Sequence, residues 1–319
     1  MNAPTVSGIT QRIDAITGIP AAYRCEAPPC PRSVKIELTA RCDFACWFCA
    51  NRYRLREKAD MEWELLERLL REMRTAGVEE IGLFYLGESF LYPRLPDAVR
   101  LAKQECGYPY VFLTSNGRLA TEKRLEACFR AGLDSLKFSF NWADEEQCRA
   151  MTSVDGFNKV VTNILAARRA RDRVERETGH RCGLYASSIL YDAQQPKRME
   201  AALDAILPHV DQHYWLPLYG QAGLTAGERG TRPMAGNPGR LGALREPLPC
   251  WAVFTEGHIT YDGMLSACCF DHDGRFHMAD LKKQRFLEAW RHQKFRDLRR
   301  AHLAKDVSGT ACSTCIAGN

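Results

Sequence analysis

The chain has 319 residues, a length that fits one large domain or a barrel with a smaller appendage. Hydrophobic residues make up 45% of it, as in ordinary globular proteins, and no apolar run of about 18 residues predicts a transmembrane helix. The net charge of +5 comes from basic residues spread along the chain, which argues against a nucleic-acid partner. The first residues lack the basic and apolar segments of a secretory signal, so we expect a cytoplasmic protein.

Strand-like and helix-like patterns alternate from residue 33 to about residue 219. Alternation of this kind predicts an α/β fold with a parallel sheet covered by helices, and six units suit a partial (β/α)6 TIM-like barrel. The predicted strands are Ser33–Leu38, Ile81–Tyr85, Tyr110–Thr114, Ser135–Phe140, Gly183–Ile189 and His213–Leu218. The predicted helices are Asp60–Ala76, Pro96–Cys106, Glu122–Ala131, Phe157–Glu177 and Lys197–Leu207.

The domain organisation follows from where this alternation starts and stops. We expect an N-terminal extension (1–32), the barrel (33–219), a linker or loop rich in Gly, Pro and Arg (220–249) and a cysteine-rich C-terminal module (250–319). The chain contains 14 cysteines. In a reducing compartment such cysteines ligate metals or take part in chemistry more often than they form disulfides.

The first strand leads directly into a group of three cysteines, Cys42, Cys46 and Cys49, with the spacing Cys-x3-Cys-x2-Cys. Three thiolates on a cubic 4Fe–4S cluster leave one iron without a protein ligand, free to hold another molecule. The alternative is a structural zinc site, which usually has four ligands in two Cys-x2–4-Cys pairs. Three clustered thiols fit that pattern poorly.

This spacing, with an aromatic residue, Phe48, before the third cysteine, resembles the signature of the radical S-adenosylmethionine (SAM) superfamily. The resemblance implies that SAM binds to the open iron and is cleaved to methionine and a 5′-deoxyadenosyl radical. It also implies a partial (β/α)6 barrel, in which functional residues lie at the carboxyl ends of the strands.

The same resemblance implies a SAM pocket at those strand ends. The stretch Leu86-Gly87-Glu88-Ser89 is similar to the Gly-Gly-Glu-Pro of the family, with Glu88 placed to hold the amine of SAM; the alternative is a solvent-facing acid. Ser139 and Asn141 match positions that contact the ribose or carboxylate of SAM, or else they cap their strand. Gly87, Ser115, Asn116 and Ser187 are further pocket candidates.

The C-terminal module supplies a second set of four cysteines, Cys250, Cys268, Cys312 and Cys315. A predicted hairpin with its turn at Asp262-Gly263 would bring the first two together, and four thiolates complete a second 4Fe–4S cluster. This set, followed by a helical pattern from Phe286, resembles the twitch form of the SPASM auxiliary-cluster domain. A four-cysteine zinc ribbon is the alternative.

Cys269 is left over from this set, either as a buried spare thiol or as a hydrogen-atom donor. Radical SAM epimerases of sugars and peptides use such a cysteine, so our leading hypothesis is epimerisation of a sugar-containing small molecule of aminoglycoside or oligosaccharide type. Dehydrogenation of a secondary alcohol, as in 2-deoxy-scyllo-inosamine dehydrogenases, is the runner-up. Modification of a peptide and a non-catalytic metal-binding scaffold are further alternatives.

We expect a polar small-molecule substrate between the barrel mouth and the C-terminal module, and an electron donor such as flavodoxin or ferredoxin. Polar and aromatic side chains crowd the segments that would line this space. They are His213, Tyr214, Trp215, Tyr219, Gln221, Glu256, His258, Asp271, His272 and Asp273.

Overall fold

A nine-stranded sheet forms the centre of the computed structural model, which describes residues 8–225 and 248–315. Six strands form its first part: β1 (Ser33–Ile36), β2 (Glu80–Gly82), β3 (Tyr110–Ser115), β4 (Ser135–Ser139), β5 (Gly183–Leu190) and β6 (Gln212–Pro217). Each of these strands pairs in parallel with the next in chain order. The predicted α/β architecture with a parallel sheet is therefore confirmed. Most of the predicted strand ends lie within one or two residues of the observed strand ends.

Helices cover the outer face of this sheet because one stripe of each helix is apolar. In the second helix the stripe is Leu65, Leu66, Leu69, Leu70 and Met73, all buried. The helices are α1 (Ile9–Thr17), α2 (Trp63–Thr75), α3 (Leu95–Arg100, continued by a π turn to Glu105), α4 (Glu122–Arg130), α5 (Glu145–Thr152), α6 (Phe157–Thr178), α7 (Gln195–Arg198), α8 (Glu200–Ile206), α9 (Phe286–Trp290) and α10 (Gln293–Leu303).

The sequence patterns did not predict two of these helices, α1 and α5. Helix α5 begins after Asp144, whose side chain accepts a hydrogen bond from the backbone of Gln147 at 2.7 Å, but few of its residues are apolar. Most of the predicted linker, residues 226–247, lies outside the described residues.

Three strands of the C-terminal module extend the same sheet: β7 (Glu256–Ile259), β8 (Met264–Ser266) and β9 (His277–Asp280). Strand β7 pairs in parallel with β1, from Ser33 opposite Glu256 to Ile36 opposite Ile259. Strands β7, β8 and β9 then pair antiparallel, and β7 and β8 form the predicted hairpin. The module is thus built onto the open edge of the barrel sheet.

Helix α1 closes the end of the barrel opposite to the strand carboxyl ends. The guanidinium of Arg12 forms an ion pair with Glu80 and lies over the rings of Tyr110 and Phe112, at 4.4 and 4.1 Å from their centroids. A segment that we expected to be only an extension therefore plugs the barrel. In the described part of the chain, no helix has the length and apolar character needed to cross a membrane.

Candidate functional site

The loop that follows β1 carries Cys42, Cys46 and Cys49 and is braced by the end of α5. The backbone N–H groups of Ala45 and Trp47 donate to the carbonyls of Thr152 and Met151, at 3.0 and 2.9 Å. The last carbonyls of a helix have no partner within it, so this loop satisfies them. Helix α5, which was not predicted, thus fixes the three cysteines above the sheet.

The three cysteines line one cavity of about 340 Å³ at the carboxyl ends of the barrel strands, which we call the first cavity. This volume lies in the range of ligand pockets, about 300–1,000 Å³. Every residue predicted for the SAM pocket also lines it, namely Phe48, Gly87, Glu88, Ser115, Asn116, Ser139, Asn141 and Ser187. The structure therefore brings together residues from the carboxyl ends of five strands, β1 to β5, in one cavity.

Glu88 is buried and its carboxylate accepts three hydrogen bonds. The N–H of Phe90 (3.0 Å) and the hydroxyl of Ser115 (2.8 Å) donate to Oε1, and the N–H of Asn116 (2.7 Å) donates to Oε2. Burial raises the pKa of Glu88 to about 7, against the lowering effect of these donors. The position is thus a fixed carboxylate at the cavity wall, and the alternative of a solvent-facing acid is wrong.

Gly87 holds Glu88 close to the cysteine loop. A Cβ at Gly87 would lie 2.1 Å from the carbonyl oxygen of Thr39, and the N–H of Glu88 donates to the carbonyl of Arg41 at 2.9 Å. Only glycine permits this approach of two backbones. The side chain of Asn116 reinforces it by donating to Asp43 at 2.8 Å.

Two other pocket candidates differ in how their polar atoms are used. The hydroxyl of Ser187 is buried and has no hydrogen-bond partner among the residues that the structure describes. Asn141 accepts a hydrogen bond from the N–H of Ile189 at 3.1 Å, so part of its amide caps the neighbouring strand. An unpartnered buried hydroxyl in a cavity wall fits a polar ligand, because leaving it unsatisfied is unfavourable.

The thiol set of the first cavity fits a cationic metal group. Burial raises the pKa of Cys46 and Cys49, so these two thiols stay protonated unless a cation stabilises their thiolates, whereas Cys42 is more exposed. Among residues 8–225 and 248–315, no three His, Cys, Asp or Glu side chains are arranged to hold a metal ion. Three thiols around one cavity suit a group that binds several thiolates, such as an iron–sulfur cluster.

The C-terminal module contains a second cavity of about 260 Å³. Five thiols line it, those of Cys250, Cys268, Cys269, Cys312 and Cys315. No disulfide joins any of the 14 cysteines, all of which the structure describes. The predicted hairpin between β7 and β8 does bring Cys250 and Cys268 to the same space.

Cys268 and Cys269 both lie within electrostatic range of Cys250. A hydrogen bond between the two neighbouring thiols, together with burial, raises the pKa of Cys268 well above its ordinary value. The hydrogen bond from Cys268, followed by the nearby ammonium of Lys35, lowers the pKa of Cys269. Cys269 and Lys35 line the same cavity.

A short segment, residues 219–225, separates the two cavities, and we call it the bridge segment. Its residues Tyr219 and Gln221 line both cavities, as do Phe84, Tyr85 and Phe270. The rings of Tyr219 and Phe270 lie 5.5 Å apart. The two cysteine sites are thus neighbours that share one wall.

A third, interior cavity of about 140 Å³ lies inside the barrel between α1 and the other two. Lys35, Lys137, Trp251 and Glu256 are among its lining residues. Lys35 donates to the carboxylate of Glu256 at 2.6 Å. Sequence reasoning missed both lysines. The only signal is that each is a charged residue within an otherwise apolar strand, on the face opposite to its apolar neighbours.

The residues expected around the substrate are only partly brought together. Tyr214 and Glu256 line the interior cavity, and Tyr219 and Gln221 line the shared wall. Asp271, in contrast, is fully buried and accepts hydrogen bonds from the hydroxyl of Ser266 (2.7 Å) and the N–H of Phe276 (3.3 Å). The expectation that Asp271 lines this space is wrong, since the module uses its carboxylate internally.

Comparison with known families agrees with this arrangement. The model of the radical SAM superfamily matches residues 36–179, and that of the SPASM iron–sulfur cluster-binding domain matches residues 250–316. The chain therefore contains a radical SAM domain followed by a SPASM domain. The sequence resemblance is thereby confirmed, and so are the cofactors, which are SAM and 4Fe–4S clusters in the radical SAM and SPASM domains.

Curated radical SAM relatives match only part of the chain. A GTP 3′,8-cyclase of Chlorobaculum tepidum is 33% identical over 132 residues, which are 40% of this chain and 38% of the relative. A PqqA peptide cyclase of Gluconobacter oxydans is 31% identical over 145 residues, 45% of this chain and 39% of the relative. The matched region is well under half the length of these relatives.

Solved structures share the fold over most of the chain. BtrN in complex with AdoMet and 2-DOIA superposes with a TM-score of 0.56 at 15% identity, covering 85% of this chain and 86% of BtrN. SuiB of Streptococcus suis bound to its precursor peptide SuiA gives a TM-score of 0.67 at 15% identity, covering 90% of this chain and 70% of SuiB. At this identity the likeness concerns the fold of radical SAM enzymes and not their substrates.

Proposed function

We propose that this radical SAM enzyme epimerises a carbon of a sugar-containing small molecule, with Cys269 returning the hydrogen atom. One observation carries the proposal. Five thiols line the second cavity, whereas a 4Fe–4S cluster takes four. The fifth thiol shares that cavity with Lys35 and Phe84, which also line the interior of the barrel.

In this proposal the remaining cysteines hold the two clusters. Cys42, Cys46 and Cys49 are the ligands of the first cluster, and Cys250, Cys268, Cys312 and Cys315 those of the second. SAM bound at the first cluster supplies, on one-electron reduction, the 5′-deoxyadenosyl radical that takes a hydrogen atom from the substrate. Glu88 would hold the amine of SAM, and the hydroxyls of Ser139 and Ser187 its polar groups; the unpartnered Ser187 hydroxyl supports this.

Cys269 completes the reaction as a hydrogen-atom donor. Its S–H bond breaks homolytically, the new C–H bond forms on the opposite face of the substrate carbon, and a thiyl radical remains on Sγ. One electron and one proton return the thiyl to a thiol, the electron coming from a protein donor such as flavodoxin or ferredoxin. Each turnover therefore consumes one SAM and two electrons, the first of which cleaves SAM.

A substrate rich in hydroxyl and amine groups suits the space available to it. The shared wall and the interior cavity offer aromatic faces at Phe84, Tyr219 and Trp251. Charged groups stand beside them at Lys35 and Glu256. Aromatic faces pack on the apolar sides of a sugar ring, while charged and hydroxyl groups bind its polar edge.

The test is turnover in deuterium oxide with an aminoglycoside substrate and anaerobically reconstituted enzyme. The Cys269 thiol exchanges with solvent, so epimerisation places one deuterium at the inverted carbon and forms one 5′-deoxyadenosine per product. A product two mass units lighter, without deuterium, would instead establish dehydrogenation. Turnover of peptides but of no aminoglycoside or oligosaccharide would contradict the substrate class.

Variants separate the thiol from general effects on the fold. Cys269→Ala is expected to abolish the epimer while 5′-deoxyadenosine is still formed. The control is Cys106→Ala, since Cys106 lies at the end of α3 and lines none of the three cavities. Epimer formation by Cys269→Ala at the wild-type rate would exclude this thiol as the donor.

A further inference from the structure

His302 on α10 lies between two of the cysteine segments of the second cavity. It lines that cavity and is 1% exposed. Its ring contacts the two segments directly: Nδ1 is 3.2 Å from the backbone nitrogen of Cys250, and Nε2 is 3.4 Å from Sγ of Cys312. Phe254 packs edge-on against the ring, at 6.4 Å between centroids, and helps to fix its plane.

The contact with Cys250 determines which ring nitrogen carries the proton. A backbone N–H can only donate, so Nδ1 of His302 must be the acceptor and has a free lone pair. An imidazole keeps at least one N–H, which must then be on Nε2. Nε2 therefore donates its hydrogen to the sulfur of Cys312, and the thiol of Cys312 does not donate to the ring.

A donor aimed at a ligand sulfur affects the metal group that the sulfur binds. An N–H···S bond is strongest when the sulfur carries the most negative charge, which is in the reduced state of a cluster. Hydrogen bonds to the sulfurs are among the factors that set the reduction potentials of iron–sulfur clusters. Residues that orient ligands in this way typically matter almost as much as the ligands themselves.

We propose that His302 is a positioning residue of the second cluster, which fixes Cys250 against Cys312 and raises the reduction potential of that cluster. The inference depends on the proposed function in one respect, the assignment of Cys250, Cys268, Cys312 and Cys315 as its ligands. The effect is specific to the second cluster, because within the described part of the chain His302 contacts Cys250 and Cys312 and does not line the first cavity.

The experiment is a redox titration of the second cluster, followed by electron paramagnetic resonance. The titration uses the full chain with Cys42, Cys46 and Cys49 all changed to Ala, so that only the second cluster is present. In this background His302→Phe removes both hydrogen bonds and keeps an aromatic ring. His302→Gln keeps one acceptor and one donor. The matched pair His302→Asn and His292→Asn tests position, because His292 caps α10 at its exposed start, a role that Asn can fill.

We expect His302→Phe to lower the ratio of reduced to oxidised cluster about tenfold at a fixed solution potential. This corresponds to a reduction potential that is lower by about 59 mV for a one-electron couple. His302→Gln should recover most of this loss, and His292→Asn should leave the potential unchanged. If His302→Phe loses the cluster altogether, retention of the cluster by His302→Gln supports the positioning role. Loss of the cluster from both variants in a folded chain overturns the role of the hydrogen bonds.

A potential in His302→Phe equal to that of His292→Asn also overturns the inference. Failure of the ligand assignment would look different. In that case the triple-cysteine background itself would contain no iron, or the wild type would contain about four irons where two clusters require about eight.

Discussion

The carbonyl oxygen of Thr314 faces the α-carbon of Gly223 so closely that a Cβ there would lie 2.7 Å from it. Thr314 stands between Cys312 and Cys315. Two residues before Gly223, the side chain of Gln221 accepts a hydrogen bond at 2.8 Å from the N–H of Ala50, which follows Cys49. The bridge segment therefore touches both cysteine loops within three residues.

We predict that Gly223→Ala disturbs the second cluster. Gly223 has a φ of +91°, so alanine is strained by about 1–3 kcal/mol, and its methyl group must also displace the Thr314 carbonyl. Iron should fall from about eight toward four per chain. The control is Gly309→Ala in the same module, with a φ of +71° and nothing within 4 Å of the new methyl group. Equal iron in both variants would show that the contact with Thr314 is unimportant.

We predict that Glu88→Gln weakens SAM binding without loss of iron. The carboxylate accepts from the N–H of Phe90 on one oxygen and from the N–H of Asn116 on the other. A glutamine must place its NH2 against one of these donors, and an unmet buried donor costs about 1–3 kcal/mol. The Kd for SAM, measured by equilibrium dialysis, should rise about tenfold or more. Glu64→Gln, on the exposed face of α2, should leave it unchanged; the same Kd in both would remove Glu88 from the pocket.

We predict that the neighbouring thiols Cys268 and Cys269 behave differently in iron analysis. Cys268→Ala should lower iron from about eight to about four per chain, because a cluster ligand is lost. Cys269→Ala should retain about eight. Since both thiols lie within range of Cys250, the opposite result would mean that Cys269 is the ligand and Cys268 the spare thiol.

We predict that Arg12→Leu strongly destabilises the barrel. The ion pair with Glu80 is largely buried, with side-chain exposures of 15% and 12%. Loss of one partner from a buried pair costs about 3–5 kcal/mol, and the contacts with Tyr110 and Phe112 are lost as well. The free energy of unfolding in urea measures this. Arg94→Leu, which removes a half-exposed arginine stacked 3.5 Å from the Trp63 ring centroid, should cost less than half as much. Equal losses would mean that α1 contributes little to closing the barrel.

The ion pair of Lys35 and Glu256 predicts a dependence of stability on pH. Burial opposes ionisation of Glu256, but Lys35 and His258 lower its pKa from 4.5 to about 2. Because the pKa is lower in the folded state, this group stabilises the fold fully above pH 4.5 and loses that contribution, about 3 kcal/mol, as the pH falls to 2.

In Lys35→Met the part of this contribution that comes from Lys35 is absent at all pH values. The difference in unfolding free energy between wild type and variant should therefore be largest above pH 5 and shrink toward pH 2. Arg71→Met, which breaks an exposed pair with Glu67, provides the control and should show a small difference at every pH. A gap for Lys35→Met that stays constant with pH would contradict the assigned pKa.

The sequence predicted the parts of the fold that have a local signal. The barrel strands and most helices could be read from apolar periodicity, and the cysteine spacing located both thiol groups. Helix α5 escaped because its residues are mostly polar and its role lies in the two carbonyls it offers to the cysteine loop. Helix α1 was not predicted for a related reason. The contacts of Arg12 inside the barrel hold this helix in place, and apolar periodicity does not reveal them.

The residues of the SAM pocket could be predicted from the sequence, but the two inward-facing lysines and the pairing of the C-terminal module with the barrel could not. Each pocket candidate followed a strand of the expected rank, and all of them do line one cavity. Lys35 and Lys137 were missed, since their inward direction depends on which face of each strand the helices cover. The pairing of β7 with β1 joins residues more than 200 positions apart, and nothing in either strand specifies such a partner.

That pairing also has a consequence for how the molecule can be divided. Without the C-terminal module, β1 would present a row of unpaired N–H and C=O groups beside the loop of Cys42, Cys46 and Cys49. A chain cut between residues 219 and 250 would thus have an exposed, aggregation-prone edge strand next to the site of radical formation. We expect the barrel and the module to unfold as one cooperative unit. The module should therefore evolve together with its barrel and should not be exchangeable as an independent domain.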